Sequence, residues 1–428
     1  MKKLFASTLL LAAAALAPVS QALAADLTVG PGGTYASIGA AITAAADGDR
    51  ILVKPKALPY GETLTITKSL TILSADEGTY FDCTGTWTFN PATAGKKLTV
   101  IGVRMLAGDI QTLIQAPSGN RSKVEILSSV LRGGNVYFNA NNYDLLLAAD
   151  SIKGQIHFRF GKIVGNYLDG STTTNVIRQF GGETVSEDSV WVVGNRIRGN
   201  NTNGHWNVSL ESGSHYLYVV NNYVQLNTNA NFNSDYGMYL YLGKAGSGKH
   251  TVANNSILNT QSGGNYCCGR YAFYLDQPAT NTDVIGNVVT GQATATTTPV
   301  FWQNGGTNNW TFAYNHIKGY STNLSVPVSP TNKLASTAVI TPATGAATGT
   351  GANGPVNAIP LTEPDYADID LTAGDAGAYG GSYTLANFHP FVSTTAANNR
   401  GGRVIFVRAP RSILQGGSIQ VKAVGFDR

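Results

Sequence analysis

A six-residue pattern recurs along this chain and restricts its fold more than any other feature. It reads "IVGNYL" from 163, "VVGNRI" from 192, "VVNNYV" from 219, "VANNSI" from 252, "VIGNVV" from 284 and "FAYNHI" from 312. Each copy has two mostly apolar residues, a small or turn-forming residue, an asparagine, a variable residue and an apolar one. The asparagines are Asn166, Asn195, Asn222, Asn255, Asn287 and Asn315, spaced 29, 27, 33, 32 and 28 residues apart. Three earlier copies are degenerate and place Val103, Ser129 and Asp150 in the same column. A fixed period of this length signals a repeat architecture.

The units lack helix-forming runs, which excludes helical solenoids. Each holds three short strands instead. In residues 237–276, "GMYLYL", "HTVAN" and "SILNT" are strands, Asn255 is a corner, and "QSGGNYCCGR" is a longer loop before "YAFYLD" opens the next unit. Three strands per turn, stacked at ~4.8 Å, predict an all-β fold: a single-stranded right-handed parallel β-helix. Stacked asparagines in such a coil exchange amide hydrogen bonds from rung to rung. Asn also tolerates the left-handed backbone of a sharp corner, which would place each of the six in that conformation.

The ends of such a coil need covers. Residues 25–56 are expected to form an N-terminal cap. Ile38, Ala41, Ile42 and Ala45 fall on one helical face, Ser37 or Thr34 is placed to cap the start, and Asp47-Gly48-Asp49 stops it. The coil itself is expected over 57–335. Residues 336–399 combine a low-complexity Thr/Ala/Gly stretch, read as a surface loop or linker, with a closing segment. Residues 400–428 read as a C-terminal β-hairpin. Residues 1–24 read as a secretory signal: Lys2 and Lys3, an apolar run from Leu4 to Leu16, then Ala22-Leu23-Ala24. The expected location is therefore extracytoplasmic: secreted, periplasmic or at the cell surface.

Here a family resemblance enters. "TVGPGGTYASIGAAITAAADGDRILVKP", the Asn-marked rungs and "DAGAYGG" (375–381) resemble pectin-lyase-like β-helix proteins, a group that includes pectin methylesterases. The likeness implies architecture over residues 25 to about 385. It implies no chemistry, because one fold hosts many functions. The paired aspartates around "DFIFG", the Asp clusters with "HG" and "RIK", and a "WIDH"-like motif are all missing, so no catalytic residue carries over.

The resemblance implies a groove over the first strand of each rung. These strands are "NVSLES", "MYLYL", "AFYLD" and "VFWQN". If their leucines point inward, alternation turns Ser209, Tyr239, Tyr241, Tyr274 and Trp302 outward. Arg178 lies on an earlier rung, Asn304 at a strand end, and His205, Trp206, Asp235, Tyr236 and Arg270 in or beside the flanking loops. Such an aromatic stripe suits a polysaccharide, whose apolar sugar faces stack on rings. A one-residue slip would instead send the rings into the core. For a lyase, Arg270 would neutralise a uronate, and Tyr236, Tyr274 or His205 would move the proton. For a hydrolase, Glu211 and Asp276 are the candidate pair, two rungs apart at roughly 9–10 Å, close to the inverting separation. Equally, the carboxylates serve as strand-end solubilising groups.

Other features are less specific. Asp365, Asp368, Asp370 and Asp375 form an oxygen-rich cluster that would suit Ca²⁺, but it departs from the EF-hand loop, and a solvated turn is the expected role. Of the three cysteines, Cys83 lies about seven rungs, ~30 Å, from Cys267 and Cys268, too far for a disulfide. The 29 basic and 25 acidic residues include Lys2 and Lys3, so the mature balance is 27 to 25, with no clustered basic face for nucleic acid. No apolar run after the signal reaches spanning length, so an integral membrane protein is not expected. Two function classes follow: a protein that binds, and in one form cleaves, an extracellular polysaccharide, or a structural or adhesive surface protein that self-associates through its C-terminal hairpin.

Overall fold

In the computed structural model, residues 24–385, 403–408 and 422–426 are described, except 77, 171–174, 182–188, 200–204, 227–234, 260–270, 292–299, 308, 320–325, 327–328, 369, 371, 382 and 384. Residues 1–23 of the segment read as a secretory signal, Arg270, Cys267 and Cys268 therefore lie outside the described residues.

The described chain coils through three parallel sheets of 12, 11 and 10 strands. One turn shows the plan. Tyr216–Val220 lies in the 12-stranded sheet, Tyr223–Gln225 in the 11-stranded sheet and Asp235–Tyr241 in the 10-stranded sheet, before His250–Ala253 returns to the first. Every strand pair within these sheets is parallel and in register, as in Val192↔Val219↔Val252↔Val284↔Phe312. Those five residues point inward and are at most 3% exposed. Stacked β-branched residues suit a pleated, half-buried surface. On the 10-stranded sheet the inward column ends in Phe273 and Phe301, stacked 4.7 Å apart with planes 5° from parallel.

The N-terminal segment is part of the coil as well as its cover. Asp26–Val29 pairs with Arg50–Val53, and both belong to the 12-stranded sheet. Between them the helix Ile38–Ala44 buries Ile38, Ala41 and Ile42. Ser37, not Thr34, caps it, accepting from the Ala40 N–H. The Glu62 carboxylate accepts from the N–H groups of Ile38 and Gly39 at 2.9 and 2.7 Å, satisfying two more first-turn donors.

The asparagine column forms a continuous ladder. Each amide oxygen accepts from the backbone N–H and the side-chain amide of the asparagine one rung before, from Asn166 through Asn315, at 2.9–3.1 Å. Each amide also donates to a strand carbonyl of the preceding rung, as Asn222 does to Val192 at 2.7 Å. Two details differ from the sequence reading. The left-handed residue is the one before the ladder position: Gly165, Gly194, Asn221, Asn254, Gly286 and Tyr314 carry positive φ, and the ladder asparagines do not. The corner is thus made one residue early, which leaves the asparagine free to point inward. The ladder also continues into Asn332, which accepts from Asn315, and begins at Ser129 and Asp150.

Residues 336–385 are not a free linker. They fold back over the outside of the corner between the 12- and 11-stranded sheets. Ile359 and Tyr366 pack on Trp191, Val193, Val220, Ala253 and Ile285. Ala338, Ile340, Ala376, Ala378 and Leu385 pack on Tyr223, Leu258 and Val288. Amides that face this segment anchor it: Asn221 donates to Ala378 and Gly380, and Asn254 to Asp375. Outward apolar residues at Val193, Val220 and Ile285 required a cover, and the segment supplies it. Arg403–Arg408 and Lys422–Phe426 form an antiparallel hairpin that is a sheet of its own.

Candidate functional site

The outer face of the 10-stranded sheet carries one register-matched column. Tyr137, His157, Arg178, Ser209, Tyr239, Tyr274 and Trp302 are partners on consecutive rungs. Their strand neighbours Val208, Met238, Phe273 and Phe301, with Leu210, Leu240 and Leu275, are fully buried, so the column faces outward. Tyr239, Tyr274 and Trp302 are half-buried.

The rings touch one another in a chain. Trp206 lies 5.5 Å from both Tyr239 and Tyr274, Tyr239 and Tyr274 are 5.5 Å apart, and Tyr271 bridges Tyr274 at 5.5 Å and Trp302 at 5.8 Å. All these pairs are tilted or edge-on, the arrangement that the ring quadrupole favours. Lower in the column, Tyr137 and His157 are 4.9 Å apart, and the Arg178 guanidinium sits 4.6 Å over the Phe180 ring. Burial, aided by the Arg178 charge, lowers the His157 pKa to about 4, so this imidazole is neutral near pH 7.

A second outward column holds the carboxylates. Glu211, Tyr241, Asp276 and Asn304 are consecutive register partners. Tyr241 therefore stands between Glu211 and Asp276, which are two strand spacings apart. Asp276 is fully engaged: one oxygen accepts from the Tyr239 hydroxyl at 2.7 Å and the other from the Asn304 amide at 3.1 Å. Burial raises the Tyr239 pKa, and its bond to Asp276 raises it further, so the phenol stays protonated. Asp276 and Asn304 thereby fix the Tyr239 ring. Glu211 accepts from the Gly181 N–H at 3.3 Å, and its backbone N–H donates to Gln179 at 2.7 Å.

Of the other expected residues, His205, Asp235 and Tyr236 are placed by backbone on the strands His205–Glu211 and Asp235–Tyr241. Their side chains and Arg270 lie outside the described residues. The sequence reading missed Tyr137, His157, Trp206's ring contacts and Tyr271. Tyr137 and His157 were recoverable, because "VYF" and "IHF" alternate as "MYL" does, with a polar or aromatic residue between two apolar ones.

The acidic cluster near the C-terminal closing segment is a turn network. Asp368 accepts from the N–H groups of Asp375 and Gly381, Asp370 accepts from Thr372, and Asp375 accepts from the Asn357 N–H. Among the described residues no group of three or more His, Cys, Asp or Glu side chains is placed to hold a metal ion. Cys83 is buried, and burial pushes its thiol pKa up, so it is not a reactive thiolate. No helix among the described residues is long and apolar enough to cross a membrane, a statement that does not extend to β-barrels.

Compared with protein-family models, curated proteins and solved structures, the chain matches none.

Proposed function

We propose that this chain is an exported β-helix protein that binds an extracellular polysaccharide along the outer face of its 10-stranded sheet. The observation that carries the reading is the register-matched column Ser209–Tyr239–Tyr274–Trp302, extended by Trp206 and Tyr271 into five rings in mutual contact. Rigid aromatic rings on successive rungs form a continuous, partly apolar strip, and aromatic rings dominate interface energetics at low ordering cost. Arg178, Ser209 and Asn304 border it with hydrogen-bonding groups suited to hydroxyls. The architecture and "GPGGTYASIGAAI" keep the resemblance to pectin-lyase-like proteins as part of this reading.

Binding is favoured over cleavage. Both oxygens of Asp276 are committed within the sheet, and Tyr241 separates it from Glu211. The test is a polysaccharide and glycan array probed with the mature protein, with release of reducing ends and of unsaturated products followed in parallel. Retention of one polysaccharide class without product release supports the reading. Blank binding across neutral and acidic glycans removes it.

A second reading rests on the C-terminal hairpin. Arg403–Arg408 and Lys422–Phe426 pair only with each other among the described strands, which leaves outer backbone edges of the kind that another chain's strand can join. In that reading the coil is a spacer of an adhesive or self-assembling surface protein. Oligomers that vanish when residues 400–428 are removed would favour it.

A further inference from the structure

A concave site lies away from the aromatic column, on the outer face of the 11-stranded sheet. It is a cavity of about 310 Å³, lined by Tyr167, Arg196, Arg198, Tyr223, Gln225, Pro342 and Ala343 around Ile197. That volume sits at the lower end of the range for small-molecule pockets. Three rungs build it. Tyr167, Arg196 and Tyr223 are register partners, as are Asp169, Arg198 and Gln225.

The remaining wall comes from the folded-back segment. The Tyr223 hydroxyl donates to the Pro342 carbonyl at 2.8 Å, and Arg196 donates to the Ala343 carbonyl. Gly345 closes the turn at φ +84°, where an added Cβ would come within 2.3 Å of the Tyr223 ring. Only glycine allows the turn to press this close. The wall is therefore positioned by specific contacts.

Two arginines, Arg196 and Arg198, line the pocket, and no carboxylate among the described residues does; Asp169 is the register partner of Arg198 on the preceding rung. Arg196 gives one of its five donors to Ala343. The Arg198 guanidinium is exposed and makes no hydrogen bond or ion pair among the described residues. The planar fork of arginine matches carboxylate geometry and stacks on flat groups. Tyr167, 37% exposed, offers a ring face at the rim, and Gln225 offers an amide.

We propose that this pocket binds a small ring-borne carboxylate: the acid group between Arg196 and Arg198, the ring against Tyr167. The proposal stands independently of the polysaccharide face. It would hold for a sugar acid or for an aromatic acid, since both present a carboxylate on a ring with an apolar face.

Titration calorimetry on the mature protein with glucuronate, benzoate, acetate, glucose and inorganic sulfate tests it. The two ring acids are expected to bind about tenfold or more tightly than acetate and glucose, a difference of about 1.4 kcal/mol. Arg198→Gln and Tyr167→Ala should each weaken them by about fivefold or more, and Lys123→Ala, at an exposed position on the 12-stranded sheet, should leave them unchanged. Arg198→Lys, which keeps the charge without the fork, should fall between wild type and Arg198→Gln. Melting curves verify that each variant is folded. Unchanged affinity in Arg198→Gln, binding of glucose equal to glucuronate, or sulfate binding as tightly as the ring acids with no loss in Tyr167→Ala would each overturn the proposal.

Discussion

At the residue scale, the ladder asparagines are structural, and their cost of loss is readable from their bonds. Asn222 accepts from Asn195 and donates to Val192 and Asn255, all in a fully buried corner. Asn222→Ala is expected to destabilise by about 3 kcal/mol or more, because each orphaned buried partner costs about 1–3 kcal/mol. Chemical denaturation measures it. Asp150 is the odd member of the column. It is fully buried, and one carboxylate oxygen finds no partner among the described residues. Burial raises its pKa well above the usual carboxylate range, only partly offset by the Ser129 and Ala148 backbone. A raised folded pKa means that its contribution is fully present below the unfolded value near 4 and is lost as pH rises through the folded value. Asp150→Asn supplies the missing amide donor at every pH. It is expected to raise stability at neutral pH by about 1–3 kcal/mol and to remove that part of the pH slope, measured by melting temperature between pH 4 and 8. The six central asparagines were legible because each follows two apolar strand residues. Asn332 was not, because it comes 17 residues after Asn315, in "SPTNKL". The left-handed residue was assigned one position late, since sequence alone does not separate the corner from the residue that seals it.

At the element scale, the periodicity of two made the columns legible. Inward leucines at 210, 240 and 275 turned Tyr239, Tyr274 and Trp302 outward, and the structure places them so. The mutual contacts of the rings and the engagement of Asp276 were not legible, because they arise between rungs 28 to 37 residues apart. Tyr274→Ala and Trp302→Ala are each expected to weaken polysaccharide binding about tenfold, with little change in melting temperature, read by affinity electrophoresis. The sequence left residues 336–356 open between a surface loop and a linker, and their packing on the coil was not legible for a compositional reason. Small Thr, Ala and Gly residues suit a linker, yet they also let a chain lie close against a sheet. Val193, Val220 and Ile285 were the available signal, as apolar residues at outward positions. Removing residues 336–428 is expected to expose this stripe, with increased binding of a hydrophobic dye and lower solubility as the readouts.

At the scale of the whole molecule, a coil stacked through parallel sheets makes stability a property of neighbouring rungs. Four histidines tie it to pH. His157, His215, His250 and His316 are all held near a pKa of about 4, chiefly by burial. A depressed folded pKa means that the unfolded chain takes up protons first. Stability from these groups is therefore complete above about pH 6.5 and falls as pH drops toward 4. The melting temperature of the Asp150→Asn variant, free of the opposing carboxylate, should decline on acidification across that window. The central claim concerns the face of the 10-stranded sheet. Oxidative footprinting with and without the polysaccharide retained on the array tests it most directly. The account predicts protection of Trp302, Trp206, Tyr239 and Tyr274, with side chains of the 12-stranded face unchanged. Protection confined to another face, or none at these four rings under saturating polysaccharide, would contradict it.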